Sequence, residues 1–126
     1  MNENEDISAL ILRKGPAVIV TAAKLSELGI DKPAYNFTWL FDMAEEESVH
    51  TMIFDMDGLE MISSAFIGFL LGVYQRLKKH SARLVLCRMT PSIVKALELT
   101  KVTRFFYLCG TLEEAEKRVQ KDVKSP

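Results

Sequence analysis

Residues 51–79 read TMIFDMDGLEMISSAFIGFLLGVYQRLKK. An apolar run, Met52 to Phe54, ends in an acidic turn, Asp55-Met56-Asp57-Gly58. A short return, Leu59 to Ile62, leads to Ser63 and Ser64, and a long apolar-faced segment follows. The run predicts a strand, and the segment predicts a helix from about Ala65 to Lys79. Its last turn carries Arg76, Lys78 and Lys79, which suit the negative end of a helix dipole. A strand that ends in a polar loop and feeds a helix N-terminus is where α/β proteins usually place their sites.

Downstream, Arg83 to Arg88 (RLVLCR) predicts a strand, and Thr90 with Pro91 predicts the capped start of a helix. Arg104 to Leu108 (RFFYL) predicts a last strand. Thr111-Leu112-Glu113-Glu114 has capping-box spacing, so a terminal helix should run to about Val119 or beyond, with KDVKSP as a tail. Upstream, Ile7 to Leu12 and Ala17 to Ala23 predict two strands joined through Arg13-Lys14-Gly15-Pro16. Lys24 to Ile30 predicts a loop closed by Gly29. Asp31 is a suitable N-cap, with Pro33 in the first turn, for a helix from about Lys32 to Glu46. Its apolar face carries Tyr35, Trp39 and Met43, and Glu45-Glu46-Glu47 closes it as a solvated turn. Alternation of strand and helix after the first hairpin calls for parallel strands, right-handed crossovers and one antiparallel edge.

A chain of 126 residues fits one domain, read here as 1–126 with residues 1–6 and 121–126 as flexible ends. Apolar residues at 48% and charged residues at 26% place it among soluble globular chains. A net charge of −1 supplies no field to hold nucleic acid or an anionic membrane. The start, MNENEDIS, has no signal-peptide character, and the longest apolar run, Ala65 to Tyr74, is too short to span a bilayer. Cys87 and Cys109 stand in apolar runs without ligand spacing and read as buried thiols of a cytoplasmic protein. His50 and His80 read as surface residues. Gly68 and Gly72 share one helix face, and each costs up to about 1 kcal/mol there, so they want a reason, one being close approach of another backbone from the protein's own sheet or from a partner. The rest of that helix is apolar nearly all round and is either tucked under a neighbouring helix or exposed for binding.

The stretch Ile53-Phe54-Asp55-Met56-Asp57-Gly58 resembles the nucleophile motif of haloacid-dehalogenase-like phosphatases. That resemblance implies an aspartate nucleophile (Asp55), a proton-handling aspartate (Asp57) and Mg²⁺. Leu59 stands where that motif carries Thr or Val, and after Glu60 the one aspartate is Asp122.

A second resemblance covers Val18 to Val119. The pattern Ile53-Phe54-Asp55-Met56-Asp57-Gly58-Leu59, then Glu60-Met61-Ile62, then Ser63-Ser64-Ala65-Phe66-Ile67-Gly68, resembles the STAS domain of bacterial anti-sigma factor antagonists and sulfate-transporter tails. Arg76-Leu77-Lys78-Lys79, Arg83-Leu84-Val85-Leu86 and the Pro91–Leu99 helix continue it. The resemblance implies an α/β fold: a mixed, mostly parallel sheet of about five strands, with about four helices mainly on one face. It implies no enzyme and no cofactor or metal. Its partners would be an anti-sigma factor/serine kinase and a serine phosphatase, and a homodimer is left open. The family's phosphorylatable serine falls on Ser64, and a partner surface would include Asp57, Ser63, Ser64, Ala65, Phe66, Ile67 and Gly68. Three positions depart: Ser63 replaces aspartate, Ala65 a Ser or Thr, and Phe66 a glycine. Either the partner surface is rebuilt around a bulky Phe66, or regulated phosphorylation has been lost. The alternative is a non-phosphorylated STAS subunit, a stressosome scaffold or a cytoplasmic accessory of a lipid or anion transporter. Without any family, Ser64 is a hydroxyl at a helix N-terminus, where added phosphate is tolerated locally, and Ser63 can serve as an N-cap worth roughly 1 kcal/mol.

Overall fold

The computed structural model describes residues 10–29 and 37–124, with side chains described through Arg118. Its strands are β1 (Ile11–Lys14), β2 (Ala17–Thr21), β3 (Thr51–Asp55), β4 (Arg83–Cys87) and β5 (Tyr107–Cys109), in that spatial order. β1 runs antiparallel to β2, and the other three pairs are parallel, as the alternation predicts. The helices are α1 (Ala22–Leu28), α2 (Thr38–Glu45), α3 (Ser64–Lys78), α4 (Pro91–Leu99) and α5 (Leu112–Lys124). Among the described residues, no helix is long and apolar enough to cross a membrane.

Each strand has two faces, and its residues alternate between them. Val18, Val20, Met52, Phe54, Leu84 and Leu86 join the larger core beneath α1 to α4. Phe69 of α3 is its hub, with ring centroids 5.3 Å from Phe37, 5.4 Å from Phe41, 6.1 Å from Phe54 and 6.2 Å from Phe66. Ala17, Ile19, Ile53, Val85 and Cys87 point the other way and meet Ala115 and Leu112 of α5.

The local expectations differ from the structure in five places. Residues 24–28 form helix rather than loop: the Ala22–Leu28 sequence is rich in helix formers, and Gly29 ends it at φ 92°, its N–H bonded to Leu25 and Ser26 carbonyls. β1 extends to Lys14 because only Gly15 and Pro16 make the turn, with Gly15 at φ 57°. α2 begins at Thr38, while the expected cap at Asp31, Pro33 and Tyr35 lie outside the described residues, as do residues 1–9. Residues 103–105 turn as a 3₁₀ helix, which sets Phe106 into the core and Phe105 on Tyr74 at 5.1 Å, so β5 starts at Tyr107. α5 continues through Lys124, into the segment expected to be a tail.

The expected caps stand, while the readings of His80, Gly68 and Gly72 do not. Thr90 Oγ1 accepts the Ile93 N–H at 3.2 Å, and Thr111 Oγ1 accepts the Glu114 N–H at 3.1 Å. The reciprocal capping bond from Glu114 goes to the Gly110 N–H rather than to Thr111. Glu45 and Glu46 are exposed but paired, Glu45 with Lys79 at 2.9 Å and Glu46 with Arg13 through two 3.0 Å bonds. His50 is exposed, whereas His80 is half-buried with Nε2 2.9 Å from the Val49 carbonyl. The close approach at Gly72 comes from the Phe41 ring of α2, 3.3 Å from where a Cβ would stand, not from a backbone. Gly68 faces open space. Elsewhere on α3, Leu71 and Tyr74 are partly buried against the larger core, Tyr74 on Phe105 rather than on α2.

Candidate partner-binding surface

β3 lies at the centre of the sheet and is buried along its whole length. Its carboxyl end delivers the 56–63 loop to the start of α3, and two hydrogen bonds from outside the loop hold it. The Met56 N–H donates to the Cys87 carbonyl at 2.9 Å. Gly58 takes φ 90°, with its virtual Cβ 3.4 Å from the Ala23 methyl. The Thr90 hydroxyl donates to the Glu60 carbonyl at 2.8 Å while capping α4.

Ser63 is the N-cap of α3: its backbone is extended, and its Oγ accepts the Phe66 N–H at 3.1 Å. Ser64 follows as the first helical residue and is exposed, as are Ala65 and Gly68. Asp57 and Glu60 are exposed on the loop beside them, and Met61 presents 62% of its surface to solvent. Phe66 and Ile67 do otherwise. They are 3% and 7% exposed, part of the larger core, and so contribute packing beneath this surface rather than contact on it. Helical periodicity explains this: with Ser63 capping, residues 66, 67 and 70 face the sheet while 64, 65 and 68 face out. The bulky ring expected at the partner surface is therefore turned inward.

Asp55 opens the acidic turn in the sequence, yet it is not a surface residue. It is 8% exposed, and Arg88 grips it with Nε to Oδ1 at 2.9 Å and Nη2 to Oδ2 at 2.5 Å. The Asp57 N–H adds a 3.1 Å bond to Oδ1. Burial alone would raise the Asp55 carboxyl, but the Arg88 guanidinium and the Asp57 N–H outweigh it and hold the group below the usual carboxylate range. Both oxygens are thus committed to a guanidinium, where a phosphatase nucleophile would need one free for phosphorus and one for metal. Among the described residues, no three His, Cys, Asp or Glu side chains gather to hold an ion. Arg88 reaches Asp55 from a left-handed backbone, φ 56°, just past the end of β4, and its Nη1 lies 3.6 Å from an Asp57 oxygen. Sequence reading missed Arg88 and Thr90 as partners of this loop. The available signal was an arginine closing an apolar strand, and only the β3–β4 register, Asp55 opposite Cys87, gives it meaning.

The STAS domain profile matches residues 7–115. The chain belongs to the STAS domain family. Solved structures agree on the fold. The NMR structure of the protein TM1081 superposes with TM-score 0.71 at 19% identity, covering 87% of this STAS chain and 86% of that one. An anti-sigma-factor antagonist (STAS) domain protein from Planctomyces limnophilus gives 0.65 at 17%, covering 83% and 92%. The anti-sigma factor antagonist SpoIIAA in its unphosphorylated form gives 0.64 at 17%, covering 88% and 95%. At these identities the likeness is one of fold. Comparison with curated protein sequences finds no match. On the STAS framework, the strand–loop–helix unit quoted at the outset is β3, the 56–63 loop and α3.

Proposed function

We propose that this STAS domain is a non-enzymatic regulator that binds a partner protein through the surface around Ser64, in the manner of an anti-sigma factor antagonist. The partner class is an anti-sigma factor with serine kinase activity, and phosphorylation of Ser64 ends the contact. The observation that carries the reading is the placement of Ser64: exposed, first in α3, with Ser63 taking the capping role beside it. Amides of a helix's first turn point outward and its dipole is positive there, so a phosphoserine at this position is locally stabilised. The same phosphate adds about −1.5 to −2 charges next to Asp57 and Glu60. A partner pressed onto Met61, Ala65 and Gly68 would have to desolvate that charge, which makes the modification an off-switch. The inward Phe66 supports this reading, because the departure from the family's glycine leaves the outer face of the helix start small and open.

The test is incubation with anti-sigma serine kinases and ATP, followed by mass analysis of the Ser63/Ser64 peptide and partner binding by Ser64→Ala and Ser64→Asp. Phosphate on Ser64, with binding kept by Ser64→Ala and lost by Ser64→Asp, is the expected result. No phosphate with any cognate kinase and equal binding by both variants would overturn the switch and favour an unphosphorylated scaffold or transporter accessory.

A further inference from the structure

Cys87 and Cys109 are register partners across the parallel β4–β5 ladder. Both lie on the face that meets α5: Cys87 is fully buried there, and Cys109 packs against it. Partners in neighbouring strands have Cα atoms roughly 4.8 Å apart, inside the roughly 4.4–6.8 Å span that a disulfide bridges. Parallel side-chain vectors leave the Cβ atoms about 1 Å wider than a disulfide prefers. β5 can close that gap, because it is a three-residue strand at the sheet edge with no neighbour beyond it among the described residues.

We propose that Cys87 and Cys109 form a redox modification site, which peroxide closes into an intramolecular disulfide between β4 and β5. The two sulfurs have different roles. Cys109 is half-buried and is the one a small oxidant reaches. Cys87 is fully buried, so peroxide from solvent does not reach it before it reaches Cys109. The Cys109 thiolate attacks hydrogen peroxide, an S–O bond forms, the O–O bond breaks, and one water leaves after taking a proton. The Cys87 sulfur then attacks the Cys109 sulfenic acid, the S–O bond breaks, an S–S bond forms, and the Cys87 proton departs with the second water. Two thiols are oxidised and one peroxide is reduced to two waters.

The bridge would bear on the partner surface through covalent neighbours. Cys87 precedes Arg88, and its carbonyl holds the Met56 N–H. The disulfide therefore pins the strand end from which Arg88 grips Asp55.

The full chain, treated with hydrogen peroxide and then alkylated after unfolding, tests this by intact mass and peptide mapping. The expected result is loss of the mass of two hydrogen atoms, an 87–109 cross-linked peptide, a monomer on non-reducing gels, and full reversal by dithiothreitol. Cys109→Ser should abolish the change. Cys87→Ala should leave Cys109 as a dimedone-reactive sulfenic acid. If wild-type Cys109 gains oxygen while Cys87 remains alkylatable, if both thiols survive, or if only intermolecular dimers form, the proposal is wrong.

Discussion

The two faces of one sheet are built differently. Toward α1–α4, the strands present Val18, Val20, Met52, Phe54, Leu84 and Leu86 to a core that includes Phe37, Phe66 and Phe69. Toward α5, the same strands present Ala17, Ile19, Ile53, Val85 and Cys87, met by Ala115 and Leu112. The first face is thick and aromatic, and the second is thin and covered by one helix. Asp55 shows the consequence. It lies on the thin side, lining a cavity of about 360 Å³ with Ile19, Leu112 and Glu116. There a carboxylate can reach a guanidinium that is itself 42% exposed. The neighbouring β3 side chain, Phe54, is fully buried in the larger core against Phe69. A charged anchor for the loop beneath Ser64 is affordable only because the thin face leaves it a way out to water.

Core truncation should expose the contrast most strongly. Phe54→Ala should cost about 3–5 kcal/mol, because Phe69 and its ring neighbours cannot collapse into the space. Ile53→Ala, next in the chain but on the thin face, should fall at the low end of about 2–5 kcal/mol, since α5 can settle onto the sheet. Urea denaturation of the two variants decides it: equal losses would mean that the faces are not energetically distinct.

Asp55→Asn removes the charge that Arg88 grips and should cost about 1–2 kcal/mol by the same measurement. The pH dependence follows from the sign of the shift. Asp55 is held below its ordinary value of 3.8, so the folded state binds that proton less readily than the unfolded chain. Its contribution is full at neutral pH and is lost as pH falls from that value through the lower folded one. Wild type should therefore lose more stability than Asp55→Asn in that acidic window. Identical acid profiles would detach Asp55 from Arg88.

The helix covering the thick face supplies smaller effects. Ser63→Ala should cost about 1 kcal/mol through loss of the bond to Phe66 N–H, whereas Ser64→Ala should stay within about 0.5 kcal/mol. Thermal unfolding compares the two, and a large loss at Ser64 would make it a structural residue rather than a free surface. Gly68→Ala should stabilise by roughly 0.5–1 kcal/mol, since its Cβ meets open space. Gly72→Ala should gain less or destabilise, because its Cβ would crowd the Phe41 ring at 3.3 Å. Matching gains at both positions would place α2 farther from α3 than the fold has it.

Much of this was legible in the chain itself. The apolar runs in AVIVT, TMIFD and RLVLC, the Gly15-Pro16 turn, the caps at Ser63, Thr90 and Thr111, and the signature around Ser64 are local signals. Local signals act through neighbours in sequence, so period, turn and cap determined the α/β order, the parallel sheet and the serine at the start of α3. What faces what was decided only by the tertiary structure. Helix phase turned Phe66 inward, and sheet register put Arg88 beside Asp55 and Cys109 beside Cys87. Each of these depends on contacts between residues far apart in the chain, which no window of sequence contains.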